Sequence, residues 1–266
     1  MRRRIFLQLS AAAAVAAPAM VAQKPQGKPD AAPLVDQVPP MLDHILLGCN
    51  DLQRGIAFVE QHTGVRAAFG GVHPGRGTQN ALLSLAASTA QGPGRYLEII
   101  APDPQQSSGT SPLLDKLKQF SEPHLVGWAA HLRNNIEAYA AKLKQDGIEA
   151  TGPAPGSRKR PDGKELHWQT LTLKDDANGL LPFFIQWGSG FELTNPDKQK
   201  SADSVHPSVD APSGCQLLRF ELLTPDPAAL AKHAARLALE APVSKAATPQ
   251  LRAVIQGPKG TLSSTS

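Results

Sequence analysis

Leu42-Asp43-His44-Ile45-Leu46-Leu47-Gly48-Cys49 is an apolar run of strand length, closed by Asn50-Asp51 and followed by Leu52, Ile56 and Val59 at helical spacing up to Gly64. An Asn or Asp side chain can accept the free amides of a first helical turn, and glycine takes the left-handed conformation that ends a helix. The stretch therefore reads strand, cap, helix, stop. The same layout returns downstream: Leu125 to Leu132 as a strand, Asn134-Asn135 as the cap, Ile136, Ala140 and Leu143 as the helix face, and Gly147 as the stop. The face positions repeat at a constant offset of 84 residues, Leu52 to Ile136, Ile56 to Ala140 and Val59 to Leu143.

The strands that follow repeat too. Asn80 to Leu85 and Arg95 to Ile100 have counterparts in Trp168 to Leu173 and Phe183 to Trp187, at an offset of 88, so the second copy carries four more loop residues. A strand, a helix face and two further strands recurring in one order constitute an internal duplication. The copies span 41–104 and 122–190. A third, partial copy, a βαβ unit within 214–266, is expected from a strand at Gln216 to Leu223, a helix start at Asp226-Pro227, the face Leu230, Ala234 and Leu237, and a last strand at Leu251 to Gln256. Asn195 to Ser213 is polar and Pro-rich and reads as a surface connection.

The N-terminus is read apart from the fold. Arg2-Arg3-Arg4, an alanine-rich apolar run from Leu9 to Val21 and small residues around Ala17-Pro18-Ala19 and Ala22 have the order of a secretory signal, 1–22. Arg3-Arg4-Ile5-Phe6-Leu7-Gln8 resembles a twin-arginine export signal, the alternative being an ordinary one with a spare arginine. The expected location is periplasmic or secreted. Residues 23–40, rich in Pro, Gln, Lys and Ala, read as a flexible linker.

Charge excludes some partners. The formal net charge of +4 includes those three arginines, so the mature chain would carry +1. No Lys/Arg stripe is interleaved with aromatics, so nucleic acid is not expected as a ligand. No later stretch is long and apolar enough to insert stably in a membrane once the signal is removed. A monomer or a homodimer is expected. Cys49 and Cys215 have no CxxC neighbour and read as buried thiols without reactivity.

Alternate residues of a strand share a face, which groups Leu42, His44 and Leu46 in the first strand and Tyr96, Glu98 and Ile100 in the last strand of copy one. A carboxylate between Leu97 and Ile99 must be paired, metal-bound, protonated or wet, and His44 is a natural partner. The pair could act as an acid and base, or as donors to a divalent cation such as Zn, Fe, Mn or Ni, or merely close the sheet. The duplication carries His44 onto Trp128 and Glu98 onto Gln186, so the candidate metal donors are His44, Glu98 and the Gln186 amide oxygen. The glycine-rich stretch from Gly70 to Asn80 adds His73, Arg76 and Asn80, which could orient a carbonyl or carboxylate. It is neither GxGxxG nor a Walker loop, so no nucleotide cofactor is expected. Trp128 and Trp168 would form an apolar wall. His131 has the opposite parity to Trp128 and should point away, and Arg158-Lys159-Arg160 reads as a solvated loop.

Leu42-Asp43-His44-Ile45-Leu46, His73-Pro-Gly-x-Gly-Thr-x-Asn80, Tyr96-Leu-Glu98 and Pro182-Phe-Phe-Ile-Gln186-Trp187 together resemble the glyoxalase-like branch of the vicinal oxygen chelate superfamily, over about residues 41 to 190. The resemblance implies an α+β fold of tandem βαβββ modules whose curved mixed sheets form a cup around a metal, with ligands on the first and last strands of each module. Trp128 departs from that ligand pattern. Lyases, isomerases, dioxygenases and non-catalytic binding proteins share the fold. The implied function is therefore capture of a small oxygenated molecule, with metal-dependent chemistry or, alternatively, binding alone.

Overall fold

In a computed structural model of the chain, the described residues are 37–86, 94–106, 108–132, 135–159, 163, 165–188 and 206–266. The signal, 1–22, and most of the linker, 23–36, lie outside them, as does most of the polar connection.

The first module runs β1 (Leu42–Gly48), α1 (Leu52–Thr63), β2 (Ala68–His73), β3 (Thr78–Ala86) and β4 (Arg95–Pro102). Asp51 caps α1 by accepting from the Arg54 amide at 2.8 Å, and Gly64 ends it at φ 81°. A short helix, α2 (Leu114–Gln119), leads to the second module: β5 (His124–His131), α3 (Ile136–Gln145), β6 (Ala150–Lys159), β7 (Glu165–Leu173) and β8 (Phe183–Trp187). Here Asn135 is the cap, accepting from Ala138 N at 2.9 Å. Then come α4 (Pro207–Asp210), β9 (Cys215–Thr224), α5 (Pro227–Arg236), β10 (Val243–Lys245), β11 (Gln250–Gln256) and β12 (Thr261–Thr265). The expected last strand, Leu251 to Gln256, is β11 and runs antiparallel to β9, whereas the strand parallel to β9 across α5 is β10; neither β10 nor β12, which forms a hairpin with β11, was disclosed by the sequence.

All twelve strands form one mixed sheet in the order β12-β11-β9-β3-β4-β1-β5-β8-β7-β6, with β10 on β9 and β2 on β3. Within each module the first and last strands pair in parallel, β1 with β4 and β5 with β8, and the modules join where β1 meets β5 antiparallel. The sheet curls until β2 approaches β6. Arg158 on β6 crosses that gap and donates to the Gly70 carbonyl. A Cβ on Gly70 would stand 2.4 Å from Asn80 Oδ1 and 2.8 Å from Arg158 Nη1, so both side-chain tips would have to give way to any larger residue there. The reading of Arg158 as solvated is thus corrected. It belongs to a strand and is 5% exposed, because its guanidinium serves a backbone carbonyl at the seam. Arg160 lies outside the described residues.

The main core is on the convex side. Ile45 and Leu47 of β1, Leu97 and Ile99 of β4, Ile56 and Val59 of α1, and Ile136 and Leu143 of α3 pack there. The C-terminal unit closes the same core with Leu217, Phe220 and Leu222 of β9, Leu251 and Ile255 of β11 and Leu262 of β12. A smaller cluster, Leu82, Tyr96, Ala129, Leu166, Ile185 and Trp187, lines the concave face. Both thiols are free and buried, and burial pushes the Cys49 thiol up to about 12, which keeps it protonated and unreactive at neutral pH.

Candidate functional site

The register of β1 on β4 sets the floor of the cup. His44 pairs with Tyr96 and Leu46 with Glu98, so His44, Tyr96 and Glu98 emerge on the concave face while their neighbours enter the core. His44 stacks on Tyr96 with ring centroids 4.5 Å apart, and its Nε2 stands 3.4 Å from Glu98 Oε2. The two residues singled out by strand parity do share one cavity.

What sequence reasoning missed is the residue beside them. Asp43 is 0% exposed and its carboxylate meets four donors: His44 Nδ1 at 2.7 Å, His131 Nδ1 at 3.0 Å, Trp187 Nε1 at 2.9 Å and His206 Nε2 at 3.2 Å. Burial by itself would raise its pKa. The attraction of His206 and the hydrogen bonds from His131, His206 and His44 outweigh that and hold the carboxyl well below its ordinary value. An ionised carboxylate only accepts, so the proton of neutral His44 lies on Nδ1 and its lone pair on Nε2, facing the cavity. His206 likewise directs Nε2 at Asp43, while its Nδ1 lies 2.8 Å from Ser208 Oγ. The argument that flagged Glu98, an acid in an apolar strand, applies equally to Asp43 between Leu42 and the core residue Ile45.

Beyond Glu98 the polar chain continues. Asn80 Nδ2 donates to Glu98 Oε1 at 2.8 Å and to His73 Nε2 at 3.3 Å, while His73 Nδ1 meets Thr78 Oγ1 at 2.9 Å. Burial holds the His73 imidazole below its usual pKa. Arg158 and Arg76 add to the effect and Glu98 opposes it. A base whose folded pKa is depressed contributes stability above its unfolded value, about 6.5, that is lost as pH falls below it. His73→Gln should therefore flatten the decline of Tm between about pH 6.5 and pH 5, as read by thermal unfolding across that range.

These groups line a cavity of about 290 Å³ whose walls include Phe183, Ile185, Trp168 and Trp187, with Arg76, Ser111 and Leu113 at its rim. A family model described as a glyoxalase-like domain matches residues 42–238. This chain belongs to the glyoxalase-like domain family. No curated protein matches it. Among solved structures, a hypothetical protein from Staphylococcus aureus is similar at 15% identity over 84% of each chain, with a TM-score of 0.51. A variant methylmalonyl-CoA epimerase from Streptomyces coelicolor in complex with 2-nitronate-propionyl-CoA is 21% identical over 56% of this chain and 98% of its own, with a TM-score of 0.43. The Mycobacterium tuberculosis methylmalonyl-CoA epimerase is 18% identical over 58% of this chain and 93% of its own, with a TM-score of 0.40. The likeness to the Staphylococcus aureus protein is one of fold alone.

In this glyoxalase-like domain two residues depart from the positions the duplication assigned them. Gln186 lies off the cup. It is 1% exposed on the opposite face of β8 from Ile185 and Trp187, and its Oε1 accepts from Ile136 N, the first amide of α3. Trp128 borders the cavity, but its ring is 1% exposed, packs on Phe220 at 5.3 Å and donates to the Leu180 carbonyl. Ala129 is the residue opposite His44, and Trp128 lies opposite the core residue Ile45. An alignment one residue out of step exchanges the two faces of a strand, which is what the offsets did. His131 stays out of the cavity lining and engages Asp43 beneath it.

The donor set named for a metal therefore does not assemble. Gln186 faces elsewhere, His73 Nε2 is engaged by Asn80, and His44 and Glu98 alone fall short of the three protein ligands of a catalytic zinc site. Among the described residues no group of three or more His, Cys, Asp or Glu side chains is placed to hold a metal ion.

Proposed function

We propose that this protein takes a small oxygenated molecule into the cup and exchanges one proton with it at His44 and Glu98. The carrying observation is the line Asp43–His44–Glu98, with contacts of 2.7 Å and 3.4 Å. Asp43 fixes the tautomer of His44. With the lone pair on Nε2, the imidazole and the Glu98 carboxylate are two acceptors 3.4 Å apart, and a ligand donor approaching from the cavity reaches both. A hydroxyl, or a carbon-bound hydrogen next to a carbonyl, supplies such a proton. Glu98 is itself positioned by Asn80. This is the equipment of a lyase or isomerase working by acid–base catalysis. The order of basic, apolar and small residues in 1–22 supports action outside the cytoplasm.

Deuterium wash-in at the carbon beside the carbonyl, followed by proton NMR over a panel of small ketones, hydroxyketones and oxo acids whose carboxylate is remote from the carbonyl, tests this reading. The purified protein, free of stoichiometric metal, should catalyse exchange on at least one member. His44→Ala and Glu98→Gln should each lower the rate about 100-fold or more, within the usual range for a lost acid or base. Panel members that bind without any exchange would instead make the protein a binding protein, a reading favoured by the apolar wall around Trp168 and Trp187. One metal per chain, lost in His44→Ala, would overturn the metal-free chemistry.

A further inference from the structure

We infer that the ligand of the cup carries a carboxylate, which docks on Arg76 at the rim while the neutral oxygenated end of the molecule faces His44 and Glu98. The inference rests on the proposed function for the position of the site and adds the class and orientation of the ligand. Two cations and two acids lie in the cavity lining, and their placements differ. Arg158 is buried at the seam, with the Gly70 carbonyl as partner. Glu98 is on the floor, tied to Asn80. Asp176 belongs to the rim of the second module, where its Oδ1 accepts from Gly179 N at 2.9 Å. Arg76 is exposed, and among the described residues no ion pair or hydrogen bond to its guanidinium is found.

The backbone beneath Arg76 is nevertheless held firmly. Thr110 N donates to the Gly75 carbonyl at 3.0 Å, Ser111 N to the Arg76 carbonyl at 3.2 Å and Asp103 N to the Gly77 carbonyl at 2.9 Å. An arginine on a pinned turn, facing a cavity and lacking a protein anion, offers a fork of donors already placed for a carboxylate. Ser111 stands beside it in the lining, and because its Oγ accepts from Leu113 N at 3.3 Å, its hydroxyl hydrogen remains to donate.

Orientation follows from the sheet. Thr78, two residues after Arg76, pairs with Pro102, and Glu98 lies four residues further along β4. At about 3.3 Å per residue that separation is about 13 Å. An anion at the floor would face Glu98, whereas at the rim it meets Arg76. The apolar lining beyond the rim, Ile100 and Phe183, suits a hydrocarbon or aromatic middle.

Phenylacetate and phenylacetamide test this as a matched pair differing only in charge, titrated by calorimetry into the whole protein at low and high salt. The acid should bind about tenfold more tightly than the amide, the size of one charge-assisted contact. Arg76→Gln should close that gap without altering amide binding, Arg76→Lys should restore part of it, and salt should narrow it in the wild type. Equal binding of acid and amide to the wild type, or a gap that survives Arg76→Gln, overturns the inference and leaves the proton-exchange reading standing. If neither probe binds, the inference falls as well, and the deuterium-exchange assay alone decides the proposed function.

Discussion

Asp43→Ala should lose about 3–5 kcal/mol of folding stability, the usual cost of removing one partner from a buried charged cluster. The carboxylate is fully buried and joins four segments through His44, His131, Trp187 and His206. Truncation leaves three buried donors, on His44, Trp187 and His206, and the half-buried His131 without their acceptor. Asp43→Asn should cost less, since one amide oxygen still accepts, but its NH2 then faces imidazole or indole N–H groups. The pH dependence separates the charge from the shape. The folded-state pKa of Asp43 is depressed, so its contribution is complete above the ordinary aspartate value, about 3.9, and is lost as pH falls below it. Denaturant titrations below pH 5 should show a steep loss of stability in the wild type and a shallower one in Asp43→Asn. Parallel profiles would show that the carboxylate is not the hub of this floor.

Ending the chain at Ala238, where the family match stops, should leave a protein that cannot hold its fold. The deleted segment holds Leu239, Leu251, Ile255 and Leu262, all buried and all packed into the main core rather than into a separate one. At about 1.5–3 kcal/mol for each large aliphatic side chain, their loss amounts to about 6–12 kcal/mol, comparable to the whole stability of a typical domain. The cut also strips β11 from β9 along its full length. We expect insoluble or proteolysed material, read by expression yield and by circular dichroism of whatever remains soluble. A soluble, cooperatively melting fragment would mean that the two modules sustain the core alone.

The duplication was legible because it rests on short-range signals. Asp51 and Asn135 cap helices where an Asx residue precedes an apolar face, and Gly64 stops one where only glycine takes φ 81° easily. Period-two alternation likewise put His44 and Glu98 on one side of their own strands. The error at Trp128 and Gln186 came from transferring positions between copies. The offset is constant along the helix, but strand faces alternate at every residue, so one step of misalignment sent Gln186 to the first amide of α3 and hid the Trp128 ring in the core. Arg158 was misread for a related reason. A run of three basic residues looks solvated unless the chain is known to curl β6 back onto β2, a contact across 88 residues.

Local order, then, was in the residues themselves: strand, cap, helix and stop, repeated, with a histidine and a glutamate placed inward. The cup was not, because its floor depends on groups distant in the chain. His206 reaches Asp43 across 163 residues and Trp187 across 144. Spacing in sequence says nothing about which buried donors will find a buried acid. Only the curvature of the sheet, which buries Asp43 and so obliges it to gather every donor in reach, decided that His44 would turn Nδ1 to the acid and Nε2 to the cavity.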